Sequence, residues 1–143
     1  MEFFAKSFDS LTNSQLYEIL KARAKVFVAE QKIIYVDADD KDYNSLHCFF
    51  TEDGIVTAYL RAFSEKAGVA TVGRVLTICH GKGLGRKLME QSMPEIKRYF
   101  GCKKITLHAQ KHAEGFYKKL GFEVTSDEFL EEGIVHVTME KDL

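Results

Sequence analysis

The stretch His80-Gly81-Lys82-Gly83-Leu84-Gly85 joins a β-rich run, residues 71–78, to a helical pattern over residues 84–100. Its three glycines stand at every second position, where they let the backbone approach a ligand closely. A helix that begins directly after such a loop presents free N–H groups and its positive dipole end to the enclosed ligand. The stretch therefore predicts a strand, a phosphate-binding loop and a helix.

Two well-known phosphate loops are excluded by their spacing. A dinucleotide-binding G-x-G-x-x-G loop needs glycine where Arg86 stands, and a P-loop needs Gly-Lys-Ser/Thr, whereas Lys82 is followed by Gly83. A glycine-rich turn between a strand and a helix is often only a tight connection. From the loop alone, this structural interpretation stays open.

The length and composition are those of a soluble globular protein. The chain has 143 residues, enough for one domain with one core, and no linker divides it. No apolar run approaches the roughly 18 residues of a membrane span, and the formal net charge of −1 argues against a dedicated nucleic-acid binder. We expect a single domain over residues 1–143 with neither a membrane nor a nucleic-acid partner.

The cysteines indicate the compartment. Cys48, Cys79 and Cys102 are odd in number, widely spaced and without a Cys-x-x-Cys pair, which is typical of reduced packing residues rather than of a disulfide framework or a metal site. The N-terminus lacks the basic and apolar regions of a secretory signal. We expect a cytoplasmic protein that holds no metal.

A helix and a polar run open the chain. A capping box formed by Thr12 and Gln15 predicts a helix that reaches about Val28, after a short strand within residues 2–8. Residues 30–44 are polar and irregular and predict a loop beside that helix. A second loop is expected over residues 127–133.

Four aspartates in the polar run raise the question of calcium: they are Asp37, Asp39, Asp40 and Asp42. The EF-hand pattern fails in both registers, because Asp42 or Ser45 stands where the loop needs its glycine. We expect a solvated acidic loop, with recruitment of a cationic substrate as the alternative.

The order of the elements predicts the fold class. Two β-rich runs, residues 47–50 and 55–63, meet at an Asp53-Gly54 hairpin and continue as an antiparallel meander into the glycine loop. Strand–helix–strand–helix and a last strand pair follow. Pro94 should kink or break the first of these helices, and Gly101 should end it. The chain is thus α/β (α+β), with a mixed, mostly antiparallel central sheet and helices on both faces.

Two motifs together resemble the GNAT superfamily of N-acetyltransferases. Gly83 and Gly85 match its pyrophosphate loop, Arg/Gln-x-x-Gly-x-Gly/Ala, with His80 in the Arg/Gln position. The second signature, Asn-x-x-Ala-x-x-Phe/Leu-Tyr-x-x-x-Gly-Phe, is matched by Ala113, Phe116, Tyr117, Gly121 and Phe122, with Gln110 in the Asn position. Two motifs in the right order are far more specific than one.

Further stretches resemble the ElaA-like branch of this superfamily. They are Lys25-Val26-Phe27-Val28-Ala29-Glu30-Gln31, Tyr35 with Asp37 and Asp39, His47, Gly73-Arg74-Val75, Ala109-Gln110 and Glu132-Gly133-Ile134-Val135-His136. The chain departs from the branch at His80 and in a shorter connection between Val75 and Gly83. Both departures lie in or beside the loop that is expected to bind the pyrophosphate.

The resemblance implies acetyl-CoA as the donor, bound between two parallel strands that splay apart, residues 71–78 and 104–109. The implied cofactor-binding residues are Leu76, Ile78, His80, Gly81, Lys82, Gly83, Leu84, Gly85, Arg86 and Gln110. The acceptor is a small-molecule or peptide amine, for which Glu30, Arg74 and His136 are the candidate binding residues. Tyr117 is implied to donate a proton to the departing CoA thiolate. The oligomeric state stays open.

Three questions stay open in the chemistry. Glu30, His47, His108 and His136 are all candidates for the base that deprotonates the amine. A backbone N–H near Val75 or Leu76 would stabilise the oxyanion if a β-bulge points it inward. The alternative function is a non-catalytic acyl-CoA-binding or regulatory module on the same fold, against which the retained Tyr117 favours an enzyme.

Overall fold

One mixed sheet organises the computed structural model, which describes residues 1–143. Its eight strands are β1 (Glu2–Ser7), β2 (Leu46–Glu52), β3 (Ile55–Lys66), β4 (Val69–Thr77), β5 (Lys104–Gln110), β6 (Glu123–Val124), β7 (Phe129–Glu131) and β8 (Ile134–Asp142). They lie in the order β1-β2-β3-β4-β5-β8-β6, and β7 also pairs with β8. Only β4 and β5 pair in parallel, so the predicted mostly antiparallel mixed sheet is confirmed.

Three α-helices complete the fold: α1 (Asn13–Arg23), α2 (Leu84–Phe100) and α3 (Glu114–Lys119). The predicted capping box begins α1, since the N–H of Gln15 donates to Thr12 Oγ1 and the N–H of Thr12 to Gln15 Oε1, both at 3.0 Å. Beyond α1 the helical path continues as a seven-residue π-helical segment, Ala24–Glu30. It therefore passes the expected end near Val28. Such π-helical turns often occur at functional sites.

The sheet separates two hydrophobic clusters. Helix α2 places Leu88, Met89 and Ile96 in the larger cluster, together with side chains of the central strands. Helix α1 places Ile19 and Ala22 in the smaller one. Helices thus cover both faces, as predicted, and we call these faces the α2 face and the α1 face. None of the helices combines the length and the apolar character that a membrane crossing requires.

Helix α2 is continuous through Pro94, so the expected break is wrong. Proline removes the hydrogen bond to the carbonyl of the residue four positions earlier, Glu90. Because both residues lie on the exposed side of α2, water can satisfy that carbonyl. The helix ends as predicted at Gly101, whose φ of 61° is left-handed.

Two hairpins contain the turn type that suits a twisted β-ribbon. Asp53 and Gly54 have φ values of 52° and 79°, which confirms the predicted tight turn between β2 and β3. Glu132 and Gly133, with φ values of 52° and 75°, join β7 to β8 in the same way. The expectation of an irregular loop over residues 127–133 is therefore wrong where β7 forms, because this turn lets β7 pair with the long last strand.

The aspartates of the acidic loop are bound to three arginines. Six ion pairs close a ring, which we call the arginine–aspartate ring: Arg23–Asp37 (2.9 Å), Asp37–Arg74 (3.0 Å), Arg74–Asp39 (3.5 Å), Asp39–Arg61 (2.6 Å), Arg61–Asp42 (3.0 Å) and Asp42–Arg23 (2.7 Å). The side chains of Arg23 and Arg61 are only 1% and 4% exposed, and a buried guanidinium needs paired carboxylates. The expected solvated loop is wrong for these aspartates, while Asp40 is exposed.

Candidate functional site

A cleft opens between β4 and β5. The two strands pair only from Val69 to Val72 and from Lys104 to Leu107, although β4 continues to Thr77 and β5 to Gln110. Beyond Val72 and Leu107 the two strands no longer pair through backbone hydrogen bonds. An extended ligand can therefore lie between the two strands.

A bulge shapes the β4 side of this cleft. On β3 one residue separates Tyr59 from Arg61, whereas two separate their partners Leu76 and Gly73 on β4. The two residues between these partners on β4 are Arg74 and Val75. Arg74 has a φ of 52°, a left-handed conformation that is uncommon outside glycine. The bulge also reverses the side-chain alternation, so that Val72 packs on the α2 face and Leu76 on the α1 face.

The glycine loop forms an open cradle at the start of α2. Gly81 and Gly83 have φ values of 80° and 70°, and a Cβ built on either would meet nothing within 4 Å. No side chain caps α2, so its first N–H groups are free to bind an anion. Gly85 has another role, because its Cβ would lie 3.3 Å from the Phe116 ring of α3. An open, uncapped helix start of this kind can bind an anion.

Cationic side chains border the cradle. Lys82 is exposed, and Arg86, with 64% of its side chain exposed, donates to Glu90 Oε1 at 2.6 Å on the outside of α2. His80 Nδ1 lies 3.5 Å from Thr77 Oγ1 at the end of β4. His80 and Lys82 are thus exposed on the loop, while the Arg86 side chain lies along the outside of α2.

Tyr117 is buried against aromatic rings on α3. Its ring makes edge contacts with Phe116 and Phe122 at centroid distances of 5.0 and 5.8 Å, and only 7% of the residue is exposed. Burial raises the pKa of Tyr117 well above its usual range, with no compensating charge or hydrogen bond. Net proton transfer to a thiolate, whose thiol has a pKa of about 8.5, is consequently uphill. A buried phenol of this kind can donate a hydrogen bond to an anion but does not readily give up its proton.

Comparison with known proteins identifies this arrangement. A model of the acetyltransferase (GNAT) domain matches residues 25–143. The chain belongs to the GNAT family. A UPF0039 protein of Schizosaccharomyces pombe is 37% identical over 100% of this chain and 98% of its own. Among solved structures, an acyl-CoA N-acyltransferase from Pseudomonas aeruginosa has a TM-score of 0.91 at 32% identity, with 99% of each chain covered. Escherichia coli ElaA has a TM-score of 0.90 at 28% identity, with 98% of each chain covered.

The end of the π-helical segment contacts both sides of the GNAT cleft. Glu30 Oε1 lies 3.6 Å from His80 Nε2 on the glycine loop, and Gln31 Oε1 accepts a hydrogen bond from Gln110 Nε2 at 2.9 Å at the end of β5. His112 Nε2 binds the other amide atom, Gln110 Oε1, at 2.6 Å. The structure thus brings Glu30, His80 and Gln110 to one edge of the cleft.

Two predicted contacts of this site are occupied within the chain. The N–H of Ile78 donates to the carbonyl of Thr57 at 2.9 Å, so it is not free to pair with a ligand. The guanidinium of Arg74 donates to Asp37 and stacks over the Tyr35 ring at 5.0 Å. Arg74 therefore belongs to the arginine–aspartate ring, and its charge is already neutralised.

His47 cannot act as the general base. The residue is fully buried, and its two ring nitrogens bind Tyr59 Oη at 2.7 Å and the carbonyl of Asp42 at 2.9 Å. Burial also lowers the pKa of its imidazole. As the carbonyl accepts from Nε2–H, Nδ1 must accept from the Tyr59 hydroxyl, and no ring nitrogen faces a substrate. This candidate is wrong because the residue is structural.

The other two histidines meet at a carboxylate that the sequence analysis did not single out. His108 Nδ1 lies 2.7 Å from Glu131 Oε1, and His136 Nε2 lies 3.6 Å from Glu131 Oε2. The Phe129 ring packs edge-on against His108 at 5.0 Å and parallel to His136 at 6.0 Å. The sequence signal for this arrangement was the Glu132-Gly133 dipeptide, because a hairpin turn there places Phe129 opposite His136.

The side chains that ligate metals are dispersed in this structure. No group of three or more His, Cys, Asp or Glu side chains is arranged to hold an ion. The three cysteines are free thiols; Cys48 and Cys102 are buried and Cys79 is exposed. Burial raises the pKa of the Cys48 thiol to about 12.

Proposed function

We propose that this GNAT protein transfers an acetyl group from acetyl-CoA to the amine of a small molecule or peptide by direct attack of the nitrogen on the thioester. The observation that carries the proposal is the cleft between β4 and β5, which has a bulge on one arm and an open glycine cradle at its end. A cytoplasmic location, where acetyl-CoA and reduced thiols coexist, is part of the same proposal.

Different residues of the chain bind different parts of the donor. The N–H groups at the start of α2 and the side chains of Lys82 and Arg86 bind the pyrophosphate. Backbone groups of Leu76, with the carbonyl of Ile78, pair with the extended pantetheine arm as a strand would. Gln110 lines the opposite side of the cleft.

The bulge and Tyr117 stabilise the two negative charges that develop during transfer, on the carbonyl oxygen and on the sulfur. A backbone N–H beside Arg74, turned out of the ladder by the bulge, stabilises the oxyanion of the attacked carbonyl. The Tyr117 hydroxyl donates to the sulfur as the C–S bond breaks. Because burial keeps Tyr117 protonated, it remains a donor at every working pH.

The acceptor nitrogen must lose a proton before it attacks. An amine resembling lysine has a pKa of about 10.4, so the neutral form costs about 3.4 units, or about 4.6 kcal/mol, at pH 7. Glu30, beside the glycine loop, is the proposed contact of the acceptor, whereas His136 lies on β8 and is only 6% exposed.

Thermal unfolding with ligands tests the donor site first. The midpoint should rise by roughly 5–10 °C at 100 times Kd of acetyl-CoA or CoA, because binding then adds about 2.7 kcal/mol. ATP should have little effect, since it lacks the pantetheine arm. No rise with either CoA species would contradict the proposal.

Transfer itself is then measured with a panel of amines. Loss of the thioester absorbance is the suitable signal, because the exposed Cys79 would react with a thiol reagent. A protein that binds acetyl-CoA but acetylates no amine would instead be a non-catalytic acyl-CoA-binding or regulatory module.

A further inference from the structure

His108 lies where the two arms of the cleft separate. The last parallel pair joins Val72 of β4 to Leu107 of β5, so His108 is the first β5 residue beyond the ladder. On β4 the next residues are Gly73, which still pairs with Arg61 of β3, and then Arg74, which lies in the bulge. The side chain of His108 is therefore attached to one arm of the cleft at the level at which the other arm carries the proposed oxyanion site.

The His108 side chain points to the α1 face. Its neighbours Leu107 and Ala109 are buried in the cluster on the α2 face, and strand side chains alternate. Gln110 follows on the same side as His108, and its amide contacts Gln31 at the end of the π-helical segment. His108 thus faces the side of the sheet to which Glu30 and Gln31 belong, opposite α2 and α3.

A carboxylate orients the imidazole. Nδ1 of His108 is 2.7 Å from Glu131 Oε1, so Nδ1 carries the proton that the carboxylate accepts. In that tautomer Nε2 holds a lone pair, and it has no hydrogen-bond partner in the chain, while 51% of the side chain is exposed. A carboxylate on one ring nitrogen and a free lone pair on the other is the arrangement of a general base.

Phe129 and the β7–β8 hairpin set the position of this carboxylate. His136, only 6% exposed, donates from Nδ1 to the carbonyl of Ile134 at 2.7 Å, so its Nε2, 3.6 Å from Glu131 Oε2, makes no hydrogen bond to the carboxylate. The Phe129 ring packs against both imidazoles. Glu131 pairs with Ile134 at the end of the hairpin, and this pairing places its side chain beside His108.

We propose that Nε2 of His108 is the base that removes a proton from the ammonium group of the acceptor, with Glu131 as its positioning residue. The proposal rests on the proposed transfer function. His108 takes one proton, and the neutral nitrogen then forms a bond to the thioester carbonyl carbon. The C–S bond breaks, and the second nitrogen proton passes to the thiolate sulfur that Tyr117 contacts. The products are the amide, CoA thiol and protonated His108, which returns its proton to water.

Two amines of different basicity isolate this role. The full-length protein is assayed at pH 7 with acetyl-CoA and either a short peptide with a free lysine or aniline, which is already unprotonated. His108→Gln should lower the rate with the peptide about 10²–10⁴-fold. With aniline, wild type and variant should agree within about threefold, since no proton has to be removed before attack. Equal losses with both amines would overturn the proposal.

The pH profile gives a second readout that a structural role would not change. The rate of the wild type with the peptide should fall on the acid side as an imidazole is protonated, and His108→Gln should lose that limb. The titratable groups facing His108 are Glu131 and, behind it, His136. Glu131→Gln keeps the imidazole and should lower the rate less than His108→Gln does. A pH profile that is the same in all three proteins would overturn the role.

Matched controls separate this proposal from the one on which it rests. Glu95→Gln also removes an exposed carboxylate from an ion pair, on α2 with Arg98, and should leave both rates unchanged. All variants should keep the thermal shift with acetyl-CoA. A wild type that acetylates neither amine overturns transfer and base together, whereas an active wild type with an equally active His108→Gln overturns only the base.

Discussion

The guanidinium of Arg74 donates from Nε to Asp37 Oδ1 at 3.0 Å, and this contact ties the bulge of β4 to the acidic loop. Asp37 also accepts from Arg23 Nε of α1 at 2.9 Å. The arginine–aspartate ring therefore connects α1, the acidic loop, β3 and the bulge through charges. Arg74 has a φ of 52°, an uncommon conformation outside glycine, and its side chain is bound to Asp37 and Asp39 on the acidic loop.

Asp42→Asn should destabilise the protein strongly. Asp42 lies between Arg23 and Arg61, at 2.7 and 3.0 Å, and both arginine side chains are almost fully buried. Loss of its charge leaves two buried guanidinium groups with one carboxylate fewer, which should cost about 3–5 kcal/mol of the free energy of unfolding. Urea unfolding measures the change. Glu95→Gln, an exposed control, should lie within about 0.5 kcal/mol of wild type, and a similarly small effect at Asp42 would contradict the prediction.

Stability should fall in two stages as the pH is lowered. Burial lowers the pKa of His47 in the folded state. The neutral imidazole therefore makes its full contribution to the free energy of unfolding above the unfolded pKa of about 6.5, and this contribution is lost as the pH falls below that value. Hydrogen bonds from Arg61 lower the pKa of Asp39. For Asp42 burial opposes ionisation, but Arg23 and Arg61 outweigh it and lower the pKa. The second stage therefore begins below about pH 4.

The thermal midpoint from pH 8 to pH 3 measures both stages. His47→Gln cannot titrate at this position, so its midpoint should change less between pH 6.5 and 4.5 than that of wild type. His112→Gln, at an exposed histidine, should retain the slope of wild type. Identical slopes in all three proteins would show that the buried imidazole is not the source of the first stage.

Gly83→Ala should weaken donor binding. At a φ of 70° an alanine is strained by about 1 kcal/mol, and its Cβ would project into the open cradle that receives the pyrophosphate. Gly68→Ala is a matched control, because Gly68 has a φ of 81° and equally open surroundings in the turn between β3 and β4. Both variants should lose similar stability, but only Gly83→Ala should show a smaller thermal shift with acetyl-CoA. Equal thermal shifts in the two variants would contradict the placement of Gly83 in the donor-binding cradle.

Tyr117→Phe should slow transfer without loss of donor binding. The change removes one hydroxyl from a buried ring and keeps the packing on Phe116 and Phe122. Without the donor to sulfur, we expect kcat to fall about 10²–10³-fold, and the thermal shift with acetyl-CoA should persist. Steady-state kinetics gives the result, with Tyr99→Phe, at a tyrosine that is 53% exposed, as the control. An unchanged kcat would exclude the donor role.

The sequence by itself determined the parts of the fold that depend on neighbours along the chain. The capping box of Thr12 and Gln15, the Asp53-Gly54 turn and the left-handed Gly101 are each decided by a few adjacent residues. The glycine cradle belongs to the same class, since its backbone conformation follows from residues 81–85. These features could be predicted because short-range sterics and hydrogen bonds act before the chain folds back on itself.

Only the tertiary structure decided which charged and titratable groups meet. Arg74 and Asp37 are 37 positions apart, and His108 and Glu131 are 23 apart. Composition could not distinguish a solvated acidic loop from a ring of ion pairs, or a surface histidine from an oriented base. The strand register, the extra residue in the β4 bulge and the unexpected strand β7 select these partners. A shift of one residue in a strand turns every side chain to the other face, so long-range contacts depend on the whole sheet.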